Sequence, residues 1–187
     1  DFETLIETLP DWVGQGPNHN AWNVVPLNAS TAQQGEPNNA TDGQRVLATQ
    51  GLGGLQANMS GCLASPAEVV PAFVNQYNLT VDHWLAFKDD DAAWMERRTA
   101  GGNWQVLVPT GGYGNSSSLS GAPASTWAGE SGAWQHAHFS LDNVVQSSPT
   151  LEVRFCFQTS STPGLRHGWF VDNYTLSNLG DVAGAWF

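Results

Sequence analysis

Two segments near the end of the sequence carry the patterns that most restrict its fold. In Leu151-Glu-Val-Arg-Phe-Cys-Phe-Gln158, the apolar Val153, Phe155 and Phe157 occupy every second position. A period of two residues is typical of a half-buried β-strand. After a polar turn, Gly168-Trp-Phe-Val-Asp-Asn-Tyr-Thr-Leu176 predicts another strand with two polar residues in its middle. Polar groups inside a closing strand need a partner, and a bound cation is one candidate.

Helical periodicity is nearly absent from the rest of the chain, and we expect one β-sandwich domain over residues 1–187. The turn at Ala100-Gly-Gly-Asn103 predicts a hairpin, because glycine tolerates positive φ. Many short strands joined by Gly- and Asn-rich turns are typical of β-sandwiches. The predicted strands are 2–7, 21–26, 44–50, 60–70, 77–88, 92–99, 103–109, 132–141, 150–158 and 168–177.

Short motifs along the whole chain resemble those of extracellular jelly-roll domains of the MAM and carbohydrate-binding-module type, which also occur attached to secreted metallopeptidases. The resemblance implies an all-β, single-domain jelly-roll β-sandwich of two antiparallel sheets. Besides the two C-terminal segments, the motifs are Asp1-Phe2-Glu3, Leu63-Ala-Ser-Pro66, Leu79-Thr-Val-Asp-His-Trp-Leu-Ala-Phe87, Trp94 with Gly101-Gly102-Asn103-Trp104, and Trp134-Gln-His-Ala-His-Phe-Ser-Leu-Asp142. The chain departs from the pattern at Asn173, where a second acid is usual.

The same resemblance implies a structural calcium ion. In such jelly rolls an acid of the first strand and an acid of the last strand commonly share a cation, and Glu3 and Asp172 match those positions. Asn173 could add an oxygen ligand, since calcium takes several hard oxygens. The alternative is that these are ordinary polar residues at a sheet edge. The acidic run Asp89-Asp90-Asp91 is either a solvated turn or a second calcium candidate.

Charge and composition indicate the setting of the protein. Six Lys and Arg residues stand against 17 Asp and Glu, and the net charge of -11 argues against nucleic-acid partners and anionic membrane surfaces. No apolar run is long enough to predict a transmembrane segment. The chain begins at Asp1 without a signal peptide, so we expect a processed mature protein that is extracellular or at the cell surface.

Two cysteines, Cys62 and Cys156, fall in predicted strands. Cysteines in an extracellular chain with an even count usually pair, so we expect a disulfide. Two buried free thiols are the alternative.

Five N-glycosylation sequons lie at positions that suit a glycosylated surface. A sixth, at Asn173, falls within a predicted strand and is a poorer candidate. A surface that is simply rich in Ser, Thr and Asn is the alternative. The five acceptor residues are Asn28, Asn39, Asn58, Asn78 and Asn115.

Motifs for catalysis are sparse, and we expect no enzymatic activity. His136 and His138 alternate on one strand face at a spacing that could hold zinc, but a third ligand is not evident and no H-E-x-x-H occurs. No nucleophile elbow or phosphate loop is present. Carboxylate pairs of the glycosidase kind form in space, so the sequence leaves them open.

The nine tryptophans bear on ligand binding. Trp22, Trp84 and Trp169 lie in apolar strand contexts and are expected in the core. Four others flank Gly- and Ser-rich loops, where flat rings either stack on sugar faces or cover the ends of the sandwich. They are Trp94, Trp104, Trp127 and Trp134.

Two function hypotheses follow; we expect the first, and the second is the alternative. In the first, the chain is a structural or adhesive protein that assembles with copies of itself or with other surface proteins, forming filaments through strand edges or apolar termini. The residues expected to mediate that assembly are Phe2, Leu5, Ile6, Trp186 and Phe187. In the second, it is a carbohydrate-binding module or an accessory domain of a secreted hydrolase, with glycans as partners.

Overall fold

The computed structural model describes residues 11–29, 32–33, 35–49, 54–70, 77–141 and 150–178. These ranges contain short and long β-strands and a single 3₁₀ turn at His19–Ala21. In the described ranges no helix has the length and apolar character needed to cross a membrane. The strands are β1 (Val13–Gln15), β2 (Asn23–Pro26), β3 (Arg45–Ala48), β4 (Ser60–Ala64), β5 (Glu68–Val69), β6 (Tyr77–Ala86), β7 (Ala92–Thr99), β8 (Gln105–Leu107), β9 (Asn115–Ser116), β10 (Ser125–Thr126), β11 (Gln135–Ser140), β12 (Thr150–Gln158) and β13 (Gly168–Asn178).

Two antiparallel sheets pack face to face. Sheet I has the order β1-β4-β12-β7-β8, with β5 paired to β12, and sheet II has the order β11-β6-β13-β3-β2. Strands β9 and β10 form a separate ribbon. Consecutive strands lie in different sheets at β1 and β2, β3 and β4, β5 and β6, β6 and β7, β11 and β12, and β12 and β13. The prediction of an all-β jelly-roll sandwich of two antiparallel sheets is confirmed.

The alternation that predicted β12 sorts its side chains as expected. Val153, Phe155 and Phe157 are fully buried between the sheets, whereas Glu152 and Arg154 face outwards and form ion pairs. Each large apolar side chain taken from water contributes about 1.5–3 kcal/mol. The inward face of β12 therefore supplies much of the stabilisation of the sandwich.

An aromatic cluster occupies the centre of the core. Trp169 on β13 is fully buried and its ring centroid lies 5.6 Å from Phe155, 5.7 Å from Trp22 and 5.8 Å from Trp127. Edge-to-face and tilted contacts at these distances are the favoured geometry for aromatic pairs. The expectation that Trp22 and Trp169 belong to the core is confirmed.

The outer face of sheet I carries the disulfide. Cys62 on β4 and Cys156 on β12 are direct cross-strand partners, and their Cα atoms lie 4.1 Å apart. The predicted bond is present. Cys156 is fully buried although it points away from the interior, because Leu119 and Ala122 from the segment between β9 and β10 pack over it together with Trp94.

Several strands differ from the sequence-based expectation. The predicted strand 60–70 is two strands, β4 and β5, separated at Ser65 and Pro66, since proline cannot donate to a sheet ladder. Strand β1 and the β9–β10 ribbon were not predicted. The predicted strand 2–7 lies outside the described residues. The hairpin at residues 100–103 is present, with Gly101 at a φ of 73°.

Candidate functional site

A pocket of about 440 Å³ opens at the β11 edge of the sandwich. Strands β6 and β11 supply one wall, and two segments, 109–115 after β8 and 127–131 after β10, supply the other. The backbone of Thr110 donates a 2.7 Å hydrogen bond to the carbonyl of His138 on β11, which ties the first of these segments to sheet II. The lining residues are His83, Leu85, Pro109, Thr110, Gly112, Gly114, Asn115, Trp127, Ala128, Glu130, Ser131, Gln135, His136 and Ala137.

A buried imidazole forms part of the inner wall. His83 occupies an inward position of β6 between Val81 and Leu85, and it is 1% exposed. Its ring centroid lies 4.2 Å from that of Trp127. Burial lowers the pKa of His83 to about 4, so the imidazole is neutral at pH 7. Its Nδ1 atom is buried and has no hydrogen-bond partner among the described residues.

The indole beside His83 is held by both sheets. The backbone N–H and C=O of Trp127 bond to Ala93 on β7 at 2.9 and 2.8 Å, while its ring packs on His83 of sheet II. Tyr113 makes an edge contact at 4.8 Å on another side of the ring. The Tyr113 hydroxyl in turn donates to the Leu107 carbonyl and accepts from the Met95 N–H. Trp127 is 7% exposed, so its ring is largely covered by these neighbours.

Polar side chains surround the mouth of the pocket. The Nδ1 atom of His136 lies 2.8 Å from Asp82 Oδ1, and Asn173 Nδ2 donates to the other Asp82 oxygen at 2.9 Å. Burial alone would raise the pKa of Asp82, but the hydrogen bonds from Asn173, His136 and Thr41, together with the charge of His136, outweigh it and hold the pKa below its usual value. The Asp82 carboxylate therefore fixes the orientation of the His136 ring at the pocket mouth.

Other lining groups keep part of their hydrogen-bonding capacity. Ser131 Oγ accepts from the Leu85 N–H at 3.0 Å, so its own hydroxyl proton can be donated. Asn115 Nδ2 donates to the Ala128 carbonyl at 3.2 Å, which leaves its amide oxygen as an acceptor. Gln135 and Glu130 are exposed at the mouth. The pocket thus combines an aromatic inner wall with donors and acceptors of both kinds.

The four tryptophans proposed for sugar stacking occupy separate places. Trp94 is buried on the outer face of sheet I and donates to Glu96. Trp104 is half-buried on that face, with the guanidinium groups of Arg98 and Arg154 4.6 and 4.3 Å from its ring centroid. Only Trp127 among the four lines the pocket.

The fourth, Trp134, lies on the outer face of sheet II beside Trp84. The two rings make an edge contact at 6.1 Å, and their indole N–H groups donate to the carbonyls of Asn39 and Gly35. The expectation that Trp84 belongs to the interior is therefore corrected, because it packs with a satellite apolar cluster under residues 35–40. Burial of Trp94 and Trp127 also means that neither presents a full ring face to solvent.

The calcium hypothesis can be examined at one of its two carboxylates. Asp172 is 1% exposed, and its Oδ2 atom accepts hydrogen bonds from the Thr41 N–H, the Thr41 hydroxyl and the Asp42 N–H at 2.8–3.0 Å. Asn173 has a φ of 49° at a bulge in the pairing of β13 with β6. These contacts account for the two polar residues inside the strand. Glu3 lies outside the described residues, so the shared calcium site stays a prediction.

The acidic run after β6 is divided among three contacts. Asp91 is buried and pairs with Arg166, Asp90 accepts from the Thr162 hydroxyl, and Asp89 lies beside Gly129. Groups of three or more His, Cys, Asp or Glu side chains that could hold a metal are absent from the described part of the chain. His138 contacts the Thr110 hydroxyl at 3.0 Å, whereas His136 contacts Asp82.

The sequons differ in exposure. Asn28, Asn39, Asn58 and Asn115 are exposed, whereas Asn78 lies in β6 and is 8% exposed. Asn115 also lines the pocket. Use of the sequons stays a prediction. The residues expected to mediate assembly, Phe2, Leu5, Ile6, Trp186 and Phe187, lie outside the described residues, and their role stays a prediction as well.

Sequence reasoning missed most of the pocket. Of its lining, it proposed only Trp127 as a ligand contact. The available signal was His83, a titratable residue at an inward position of an otherwise apolar alternation in β6. Glu130, Ser131 and Gln135 gave no such signal, because they come together only through loop placement.

No protein-family model matches the sequence, and no curated protein matches it. Solved structures with the same fold include TmCBM61 in complex with beta-1,4-galactotriose, with a TM-score of 0.50, 14% identity, and 89% of this chain and 88% of that chain covered. Two cleaved adhesin domains of Lys-gingipain, one described as from Porphyromonas gingivalis, give TM-scores of 0.53 and 0.52 at 12% and 16% identity. Each alignment covers 94% of both chains. The shared fold is that of carbohydrate-binding and adhesin β-sandwiches; the MAM side of the resemblance stays a prediction.

Proposed function

We propose that this chain is an extracellular, non-catalytic binding domain whose pocket at the β11 edge holds a saccharide. The observation that carries the proposal is the pairing of an aromatic inner wall, His83 and Trp127, with a polar mouth. Small-molecule sites are typically concave, largely apolar and furnished with a few placed polar groups, in volumes of roughly 300–1,000 Å³. The pocket of about 440 Å³ falls within that range.

Saccharides suit this lining because they have two kinds of surface. Their C–H faces pack against aromatic rings, and their hydroxyls both donate and accept hydrogen bonds. Ser131 offers a donor, the Asn115 amide oxygen offers an acceptor, and Gln135 offers both.

The number of carboxylates in the pocket lining supports binding rather than hydrolysis. Most glycosidases use two carboxyl groups about 5–9.5 Å apart. Among the described lining residues the pocket has one, Glu130. The fold itself is compatible with the role, since TmCBM61 is a protein of the same fold in complex with beta-1,4-galactotriose. The disulfide supports an oxidising, extracellular setting.

The sequence predicted a structural or adhesive protein, whereas the pocket favours the alternative, saccharide binding. An adhesive role remains compatible with it, because a domain that binds glycans on a surface also adheres to that surface. Assembly through the termini is a separate proposal that the pocket neither requires nor excludes.

A matched pair of glutamine variants tests the proposal. The full chain is applied to a panel of immobilised oligosaccharides, and affinity for the best ligand is measured by titration calorimetry. We expect Gln135→Ala to weaken binding roughly tenfold, the loss of one or two polar contacts. Gln105 is an exposed glutamine on β8 outside the pocket, so Gln105→Ala should leave the affinity unchanged.

Variants of the tryptophans outside the pocket complete the test. Trp104→Ala and Trp134→Ala should retain the affinity of the unmodified chain. If one of them loses binding while Gln135→Ala keeps it, the saccharide lies on an outer face and the pocket proposal is wrong. If no saccharide binds, the proposed function is wrong.

A further inference from the structure

We infer that the pocket selects an uncharged saccharide unit and rejects anionic ones such as uronic acids. This inference rests on the saccharide-binding function proposed above and specifies its ligand class.

Lysine and arginine side chains that could neutralise an acidic sugar are absent from the lining. The chain has six Lys and Arg residues in all, every one of them within the described ranges, and none lines the pocket. Four of them have partners elsewhere: Arg98 pairs with Glu152, Arg154 with Glu96 and Arg166 with Asp91, and Lys88 donates to the Pro163 carbonyl.

The inner wall offers no charge to a ligand. His83 is buried and neutral, and Trp127, Leu85 and Ala137 beside it are apolar and buried. A carboxylate placed against this wall would lose water without gaining a counter-charge, and burial of an unpaired charge is costly. A neutral hydroxyl loses far less on the same transfer.

The fixed charges near the mouth are negative. Glu130 lines the pocket directly, and the Asp82 carboxylate lies behind His136. Like charges close together near a protein surface repel each other. An acidic sugar therefore meets repulsion at the mouth and desolvation at the inner wall.

Matched sugar pairs that differ by one carboxyl group measure this selectivity. Affinities of the full chain are compared for galactose and galacturonic acid oligomers and for glucose and glucuronic acid oligomers at pH 7. We expect the acidic member of each pair to bind roughly tenfold or more weakly than the neutral one. Glu130→Gln should narrow the gap, whereas Glu68→Gln, an exposed glutamate on β5, should leave it as it is.

The outcomes separate this inference from the function on which it rests. If acidic oligomers bind as tightly as neutral ones, the proposed selectivity is wrong. If Gln135→Ala also abolishes that binding, the proposal that the pocket binds saccharides still stands. An unchanged gap in Glu130→Gln overturns the assignment of the mouth repulsion to Glu130. Failure of every oligomer to bind overturns the proposed function and the inference with it.

Discussion

His83 couples the pocket to the pH dependence of folding. Its pKa is about 4 in the folded protein, lowered by burial, against about 6.5 in an unfolded chain. Between these values the unfolded chain binds a proton at this site and the folded chain does not. Stability should therefore fall as the pH drops from 6.5 to 4, by about 3 kcal/mol at most. Denaturant unfolding at pH steps between 4.5 and 7.5 measures the slope of the unfolding free energy against pH.

The variant His83→Phe isolates this contribution. Phenylalanine keeps an aromatic ring against Trp127 and does not titrate, so the slope above pH 4.5 should flatten. The lowered pKa values of Asp82 and Asp90 act in a different window, because their contributions are lost only as the pH falls below about 4. An unaltered slope in His83→Phe would show that the imidazole is not the group responsible.

At the residue scale, the sequence predicted the disulfide pairing but not where the tryptophan side chains lie. Cys62 and Cys156 could be paired because the chain has no other cysteines. The placement of Trp94, Trp104 and Trp134 could not be predicted, since a tryptophan beside a loop is equally suited to the interior, an outer face or a pocket. Only the packing of loops on the sheets decides among these.

The connection between β12 and β13 is held by one buried ion pair. Arg166 Nε lies 2.5 Å from Asp91 Oδ2, and both side chains are 0% exposed. The same guanidinium donates to Ser160 Oγ and to the carbonyls of Thr162 and Gly164 at 2.9–3.0 Å. The arginine thus satisfies backbone groups of a loop that has little apolar surface of its own to bury.

Removal of that arginine should destabilise the fold strongly. Arg166→Met leaves the Asp91 carboxylate buried without its counter-charge, which typically costs about 3–5 kcal/mol. Arg98→Met is the matched control, because the Arg98 and Glu152 side chains are 32% and 21% exposed and such surface pairs contribute little. Chemical denaturation of both variants makes the comparison. A similarly small loss of unfolding free energy in both variants would refute the role given to Arg166.

At the element scale, strands with a long clear pattern were predicted well and short ones were not. β7 and β12 coincide with the predicted ranges 92–99 and 150–158, because eight or nine residues of pattern define both ends. β1 and the β9–β10 ribbon have two or three residues each. Elements that short are specified by neighbouring strands, so their own sequence carries almost no periodicity.

In the whole molecule, the disulfide and the pocket lie on different sheets. The outer face of sheet I carries the disulfide and the ion pairs of Arg98 and Arg154, whereas most of the pocket lies against the β6–β11 edge of sheet II. Strand neighbours such as β4 beside β12 are separated by many residues in the chain. The sequence predicted most of the strands, but it contained no local signal for the order of the strands within each sheet. The pocket between β6, β11 and the two loops depends on that order and could therefore not be predicted.

The disulfide should stabilise the sandwich without affecting its pocket. Cys62 and Cys156 are 94 residues apart, and a cross-link closing a loop of that length removes unfolded-state entropy equivalent to about 4–5 kcal/mol in the chain-entropy model. The double variant Cys62→Ala/Cys156→Ala should therefore lose about 2–5 kcal/mol of unfolding free energy. At a temperature where the variant remains folded, its saccharide affinity should equal that of the unmodified chain, because neither cysteine lines the pocket. Denaturant unfolding and titration calorimetry on the same preparation measure both quantities. A large loss of affinity with the fold intact would mean that the two sheets are coupled through the core, and the division between stabilising and binding faces would have to be abandoned.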